Sequence, residues 1–419
     1  MFRQAVSLAF WATTVLAQIP GETLTGVVGN STIAGCSAGP DANGKYEIRG
    51  TNIRANFVPY AGAISNLFIN NNSGIERDVV GGWDNASYYS IDAQQPHFGS
   101  VPGHYANRIK NSNFEIDGVT YNVTPNEHPT PKEPLGANQL HGGTDGWDWR
   151  NWTVVAHTFD SITFSLTDPD GKEGFPGEVI SYKHVERGLT SDILAYALGN
   201  MTWDLKIVAI ATTKKTLSSH TYWNLDGFAN NETDLVFNHT MYVPFGGPRT
   251  DVDSILIPTG DFLSIPAGSE YNSWTAPKII SAAAAATLAF NTSAGYDACF
   301  INTRPYAFSW REGLPVAILH SPCSGIQVDI HTDQDAFQFY SCGDQNGSIA
   351  LKSTQGLRDV ADRPRVIPQC GCVVMEVQDY IGGLNYPGRG RSKKQIFGPG
   401  DYPYVLQASY RFSLNSTAS

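Results

Sequence analysis

Apolar residues recur at every second position through much of the chain, in runs such as Ile162, Phe164, Leu166; Trp203, Leu205, Ile207; and Ile326, Val328, Ile330. A period of two places those side chains on one face of an extended segment, so each run is read as a half-buried β-strand. Turn-forming clusters separate the runs, among them Asp168-Pro169-Asp170-Gly171, Phe175-Pro176-Gly177, Asn230-Asn231 and Gly246-Gly247-Pro248. Only Ser281 to Phe290, with its alanine run, has the composition of a helix, and it is short. The strand-helix rhythm of a parallel sheet is missing. The pattern predicts an all-β chain folded as a large antiparallel β-sandwich.

Four segments carry chemically capable residues on one face of such a strand and apolar residues on the other. In Ser218 to Leu225, one face holds Ser218, His220, Tyr222 and Asn224, the other Leu217, Trp223 and Leu225; Asp297 shares a face with Cys299; Gln338 and Tyr340 oppose Phe337 and Phe339; Glu376 and Gln378 alternate with Met375 and Val377. A carboxylate in so apolar a strand is costly to bury without a partner. Each face alone reads as a solvated surface or a structural hydrogen bond. Four of them, taken with His141, describe a polar cleft on a sheet surface.

His141 lies in Asn138 to Trp152, reading NQLHGGTDGWDWRNW, where a histidine, paired glycines and three tryptophans crowd fifteen positions. Tryptophan faces pack on the C–H face of a pyranose, and glycines let a backbone approach a ligand closely, so the stretch suits a sugar. A Gly-rich turn whose tryptophans merely pack is the alternative, and Trp147, Trp149 and Trp152 stay open between the two.

Composition narrows the picture. Charged residues make up 16%, and the net charge of −11 becomes −12 without Arg3, so no basic patch is available for nucleic acid. Residues 1–17 read as a signal peptide: Arg3, an apolar run from Ala5 to Val15, then Val15-Leu16-Ala17 as a cleavage site. No other apolar run approaches a membrane span. Residues 18–419 are therefore expected as one exported, soluble domain, with eleven N-x-[ST] sites that fit a secreted glycoprotein.

Six cysteines allow fifteen full pairings, among which Cys323 with Cys342, flanking a strand-turn-strand unit, is the preferred guess. Cys370-Gly-Cys372 has no second pair and no His-x-x-x-His companion, so no metal site is expected. Gly35-Cys36-Ser37-Ala38-Gly39 matches a hydrolase nucleophile elbow, but Pro40 and Gly44 follow where that elbow needs a helix.

From about Glu47 to Phe412 the chain resembles the aldose 1-epimerase (galactose mutarotase) family. The resemblance is carried by NFVPYAGAISNLFI (Asn56 to Ile69), DVVGGWDNASYY (Asp78 to Tyr89), YANRIKNSNFEIDG (Tyr105 to Gly118), NQLHGG (Asn138 to Gly143), EGFPGEV (Glu173 to Val179), HTYWNLDG (His220 to Gly227), ILIPTGDF (Ile255 to Phe262), GYDACF (Gly295 to Phe300), FQFY (Phe337 to Tyr340) and CVVMEVQDY (Cys372 to Tyr380), in that order. It implies a galactose mutarotase-like supersandwich with an open sugar-binding cleft, interconverting the anomers of a free aldose without a cofactor. Glu376 falls on the family's catalytic base, His220 on its acid and His141 on the histidine that assists. Arg108, Asn107, Asp297 and Gln338 fall on substrate-binding positions.

Ring opening requires a proton to leave the C1 hydroxyl while another reaches the ring oxygen, so a base and an acid must face one sugar. A carboxylate neighbour such as Asp297 is expected to favour the charged form of His220. The loop after Glu376 (Ile381 to Asn385), Asn272-Ser273-Trp274 and Gly103-His104 depart from the family pattern and leave the preferred aldose open. A non-catalytic sugar-binding protein, or a lyase or hydrolase on a related sandwich, are the competing readings. A monomer is expected.

Overall fold

The computed structural model describes residues 39–92, 97–184, 197–211, 217–281, 295–357, 360, 362–397 and 401–415. The signal segment, Gly35 to Ala38 of the GxSxG match and nearly all of the Ser281–Phe290 helix candidate lie outside these residues. Among those described, secondary structure is almost entirely antiparallel strand, and the single α-helix is the four-residue Ser392–Gln395. No helix among them is long and apolar enough to cross a membrane.

The period-two runs became strands as expected. Ile162–Asp168, Thr202–Ala211 and Ile326–Thr332 bury Ile162, Phe164, Leu166, Trp203, Leu205, Ile207, Ile326, Val328 and Ile330. All three belong to a ten-stranded sheet whose centre is Tyr404–Leu414 paired with Thr202–Ala211 on one side and Ile326–Thr332 on the other. A four-stranded sheet (Tyr46–Gly50, Ile53–Val58, Ala63–Asn70, Glu76–Asp78) runs in simple meander order, and neighbouring strands paired by tight turns need no crossover.

The sheet that matters for chemistry has six strands, in the order Tyr222–Trp223, Val373–Gln378, Ala336–Tyr340, Asp297–Ile301, Pro248–Val252, Pro258–Ser264. Its inner face contributes Val373, Met375, Val377, Phe337, Phe339 and Phe300 to the main hydrophobic core, where they join Trp203, Tyr410 and Phe412 of the ten-stranded sheet. Trp203 stacks on Tyr410 at 4.3 Å between ring centroids, and Trp223 reaches both, so aromatic packing ties the two sheets together. With the inner face fully occupied by apolar side chains, alternation turns Glu376, Gln338 and Asp297 outward together.

The cysteine guess fails. Cys299, Cys323, Cys342, Cys370 and Cys372 are all free thiols; Cys323 is exposed, whereas Cys342 is buried beside Cys372. The two ends of that strand-turn-strand unit are simply carried to different surroundings.

Candidate active site

Three adjacent strands present Asp297, Gln338 and Glu376. Gln338 lies directly opposite Glu376 in the ladder, and its Nε2 donates to Oδ1 of Asp297 on the strand at its other side. His220 arrives from the chain just before Tyr222–Trp223, which pairs with Val373 and Val374, and its backbone is pinned by Ser100: His220 N donates to Ser100 O at 2.9 Å and Gly99 N to His220 O at 2.9 Å. This places His220 Nε2 3.6 Å from Glu376 Oε1.

His141 follows a two-residue strand, Gln139–Leu140, paired with Arg108–Ile109, so the ladder that fixes Arg108 also fixes His141. Asn107 holds the imidazole from the backbone: its N–H donates to His141 Nδ1 at 3.2 Å, and its carbonyl accepts from His141 N at 3.2 Å. Both residues have positive φ, 68° and 52°, a conformation uncommon outside glycine that is sustained by these reciprocal bonds. One ring nitrogen from each of His141 and His220 and one carboxylate oxygen of Glu376 all lie within 4.8 Å of one another.

Two histidines and a carboxylate are also the composition of a metal site. The Asn107 N–H argues against that use of His141, because a ring whose Nδ1 accepts a hydrogen bond carries its proton on Nε2 and has no lone pair left to give. The same tautomer makes Nε2–H a fixed donor, suited to a sugar oxygen.

Burial dominates the electrostatics. Glu376 is raised to about 8, chiefly by desolvation and then by the Asp297 charge, against the opposing pull of Arg108 and the Ser218 hydroxyl. Asp297 is raised to about 6 by burial, with Arg108 opposing. His220 is held well below the usual imidazole range by burial and then by His97; His141 is lowered by burial, His97, His220 and Arg108. The expected charging of His220 by Asp297 is thus corrected: the carboxylate that meets His220 is Glu376, Asp297 acts on Glu376 instead, and desolvation favours the neutral form of His220.

Arg108 reaches the site as half of an ion pair. Its Nε lies 2.9 Å from both oxygens of Glu127, and a terminal nitrogen lies 2.7 Å from Oε1, so the guanidinium is oriented before any ligand arrives. Asp297, Gln338 and Arg108 line one small depression with Val252, Leu256 and Ile381. Asn107, expected to contact sugar, spends its side-chain oxygen on the Arg108 N–H at 2.9 Å. Through these bonds it also braces Arg108 and His141.

The glycines of the HGG stretch serve the protein rather than a ligand. A Cβ on Gly142 would stand 2.0 Å from Gly103 O, and one on Gly143 would stand 2.3 Å from Glu173 Oε2, with φ of +88° and +102°. Two of the three tryptophans are core: Trp147 donates to Asp168 at 2.7 Å and Trp152 to Trp147 O at 3.0 Å. Trp149 alone stays half-buried, its ring edge-on to His97 at 6.2 Å.

Glu127, His97 and Asp148 escaped the sequence reading, since none sits on an alternating strand with other polar residues. A larger depression of about 530 Å³, lined by Asn71, Arg77, Asp226, Asn231 and Cys323, contains none of the site residues. Its buried carboxylate, Asp226, is already satisfied by Ser321, Ser324 and Asn230, which leaves no free base there.

A buried carboxylate and imidazole in proton-transfer range, on the open face of an antiparallel sandwich beside an oriented arginine, define an acid/base enzyme for a small polyhydroxyl ligand. Residues 44–361 match the aldose 1-epimerase family model, and the chain belongs to that family of isomerases. The match ends before Glu376, but full-length relatives extend past it. The chain is 36% identical to a probable aldose 1-epimerase from Arthroderma benhamiae over 91% of both chains, and 32% identical to the epimerase FSL3 from Gibberella zeae over 89% of this chain and 86% of that one. Human galactose mutarotase is 26% identical over 88% and 94%. In fold, it is similar to the aldose epimerase homologue from C. elegans, with a TM-score of 0.70 at 23% identity, covering 88% of this chain and 99% of that one.

Proposed function

We propose that the chain is a mutarotase for a free aldose such as galactose or glucose, in which Glu376 and His220 exchange protons with the two oxygens bonded to C1. The observation that carries this reading is the 3.6 Å approach of His220 Nε2 to Glu376 Oε1, since the hydroxyl and ring oxygens of an anomeric carbon are themselves neighbours and need an acid and a base side by side. Between the lowered range of His220 and about pH 8, the pair holds one proton, which burial keeps on Glu376 before a sugar binds.

Bound sugar supplies the counterweight. A C1 hydroxyl donating to Glu376 and a ring oxygen accepting from His220 favour the carboxylate and imidazolium forms. Glu376 then takes the hydroxyl proton as the C1–O5 bond breaks, and His220 gives its proton to O5. The open-chain aldehyde faces protonated Glu376 and neutral His220, the very state that desolvation prefers. After rotation about C1–C2, His220 takes the O5 proton as O5 attacks the other face, and Glu376 returns a proton to O1. His141 Nε2–H holds the anomeric end, while Arg108, Asp297 and Gln338 grip hydroxyls, keeping the open chain in place during rotation. No covalent intermediate is required.

Galactose is favoured because relatives bear the name galactose mutarotase. Export rests on the signal-like first seventeen residues and the N-x-[ST] sites. Polarimetry on freshly dissolved α-galactose, α-glucose, xylose and arabinose tests the reading: acceleration over buffer, abolished in Glu376→Gln, is expected. Tight sugar binding by calorimetry with no rate would instead establish a non-catalytic sugar receptor.

A further inference from the structure

The site contains a third imidazole. His97 has its ring centroid 5.0 Å from His141 and 5.6 Å from His220, closing a triangle whose remaining side, His141 to His220, is 5.2 Å. Its placement follows from the same segment that pins His220, because Ser100, which pairs with the His220 backbone, donates both its N–H (3.2 Å) and its hydroxyl (3.0 Å) to His97 O. The backbone of His97 has φ of 56°, so a non-glycine residue is held in the left-handed region at the mouth of the cleft.

Asp148 explains why the ring stays there. This carboxylate, in the Trp147–Trp149 turn, has no solvent exposure, and it contacts His97 Nδ1 directly. Among the described residues, neither of its oxygens has a hydrogen-bond partner, and nor has His97 Nδ1, so the ion-pair contact between them is what faces the buried carboxylate. A buried carboxylate is costly without a polar partner, so Asp148 favours the ring orientation that keeps Nδ1 of His97 turned toward it. The side chain of His97 is 20% exposed against 6% for His220, so the ring spans the boundary between the buried pair and the opening.

We propose that Asp148 and His97 form a dyad belonging to the active site, in which the buried carboxylate orients His97 as a positioning residue that sets the protonation of His141 and His220. The groups facing the triangle are Asp148 from the turn, Arg108 from the Arg108–Ile109 strand, Glu376 from the Val373–Gln378 strand, and the aromatic rings of Trp149 and Tyr222. After burial, His97 is the foremost cause lowering both His141 and His220. The dyad therefore helps to keep the pair's proton on Glu376 before a sugar binds and makes His220 a strong acid once the sugar has charged it.

The inference rests on the mutarotase reading for its kinetic readout, and a second readout makes it independent. His97→Asn suits a positive φ, and Asp148→Asn keeps the shape of the carboxylate. In both variants, the acid limb of the kcat/KM profile should move to higher pH by at least about one unit, while the alkaline limb stays. Imidazole NMR titration of the full chain should show His220 and His141 taking up protons at correspondingly higher pH. A uniform loss of rate with unmoved limbs and unmoved titrations, in variants that retain wild-type melting, would overturn the proposal. So would a shift in His97→Asn that Asp148→Asn does not share. If the wild-type protein accelerates no mutarotation, the mutarotase reading falls by itself, and the NMR titration still decides the dyad.

Discussion

The strand Val373–Gln378 is buried at all six positions, yet its two faces do opposite things. On the inner face, Val373, Met375 and Val377 join the core, where burial is stabilising at roughly 25 cal/mol per Å² of apolar surface. On the outer face, equally hidden, Glu376 is raised to about 8 because burial opposes its charge. The comparison teaches that burial is a neutral fact whose sign is set by the group buried. The sheet uses one face to hold itself together and the other to hold a carboxylate away from its preferred state.

The largest effect expected from breaking this asymmetry is chemical. Glu376→Gln should lower kcat by about 10²- to 10⁴-fold in the polarimetric assay, the usual range for a lost general acid/base. On the inner face the loss should be structural instead: Phe339→Ala should cost about 3–5 kcal/mol in denaturant unfolding, with any remaining folded protein keeping the wild-type pH profile.

The pH dependence sharpens the same contrast. Activity needs one proton on the Glu376–His220 pair, so the rate should fall about tenfold per unit as pH rises above about 8, where Glu376 loses its proton while His220 stays neutral. Stability carries the matching sign. Between the ordinary carboxylate range and about 8, the folded chain holds a proton on Glu376 that the unfolded chain has released, so stability falls as pH rises through that window. Glu376→Gln removes this fall, and its melting temperature should exceed the wild type's by more at pH 8 than at pH 5; an equal difference at both would refute the buried-carboxylate account.

The smallest effects concern the tryptophans. Trp147→Phe strips the Asp168 carboxylate of a 2.7 Å donor and should cost about 1–3 kcal/mol. Trp149→Phe should leave melting unchanged and alter KM by only a few-fold, since that ring touches His97 from the cleft side.

Much of this was legible before folding. Alternation fixed the strands holding Asp297, Gln338 and Glu376, and it grouped Ser218 with His220, because the period of two is a property of the extended backbone itself. His220 is nonetheless outside a regular strand, held by an isolated bridge to Ser100. The Gly142-Gly143 pair was visible but its use was not: a close approach can be read from glycine, and what approaches cannot.

By itself, the sequence determined the all-β class and which side of each strand would be polar, since both follow from the local stereochemistry of an extended chain. The tertiary structure alone decided that Glu127 would orient Arg108, that Asp148 and His97 would stand beside two other imidazoles, and that the resting proton would sit on Glu376. Those outcomes depend on charges brought within a few ångströms from distant parts of the chain and stripped of water, and neither distance through space nor desolvation is written in the order of residues.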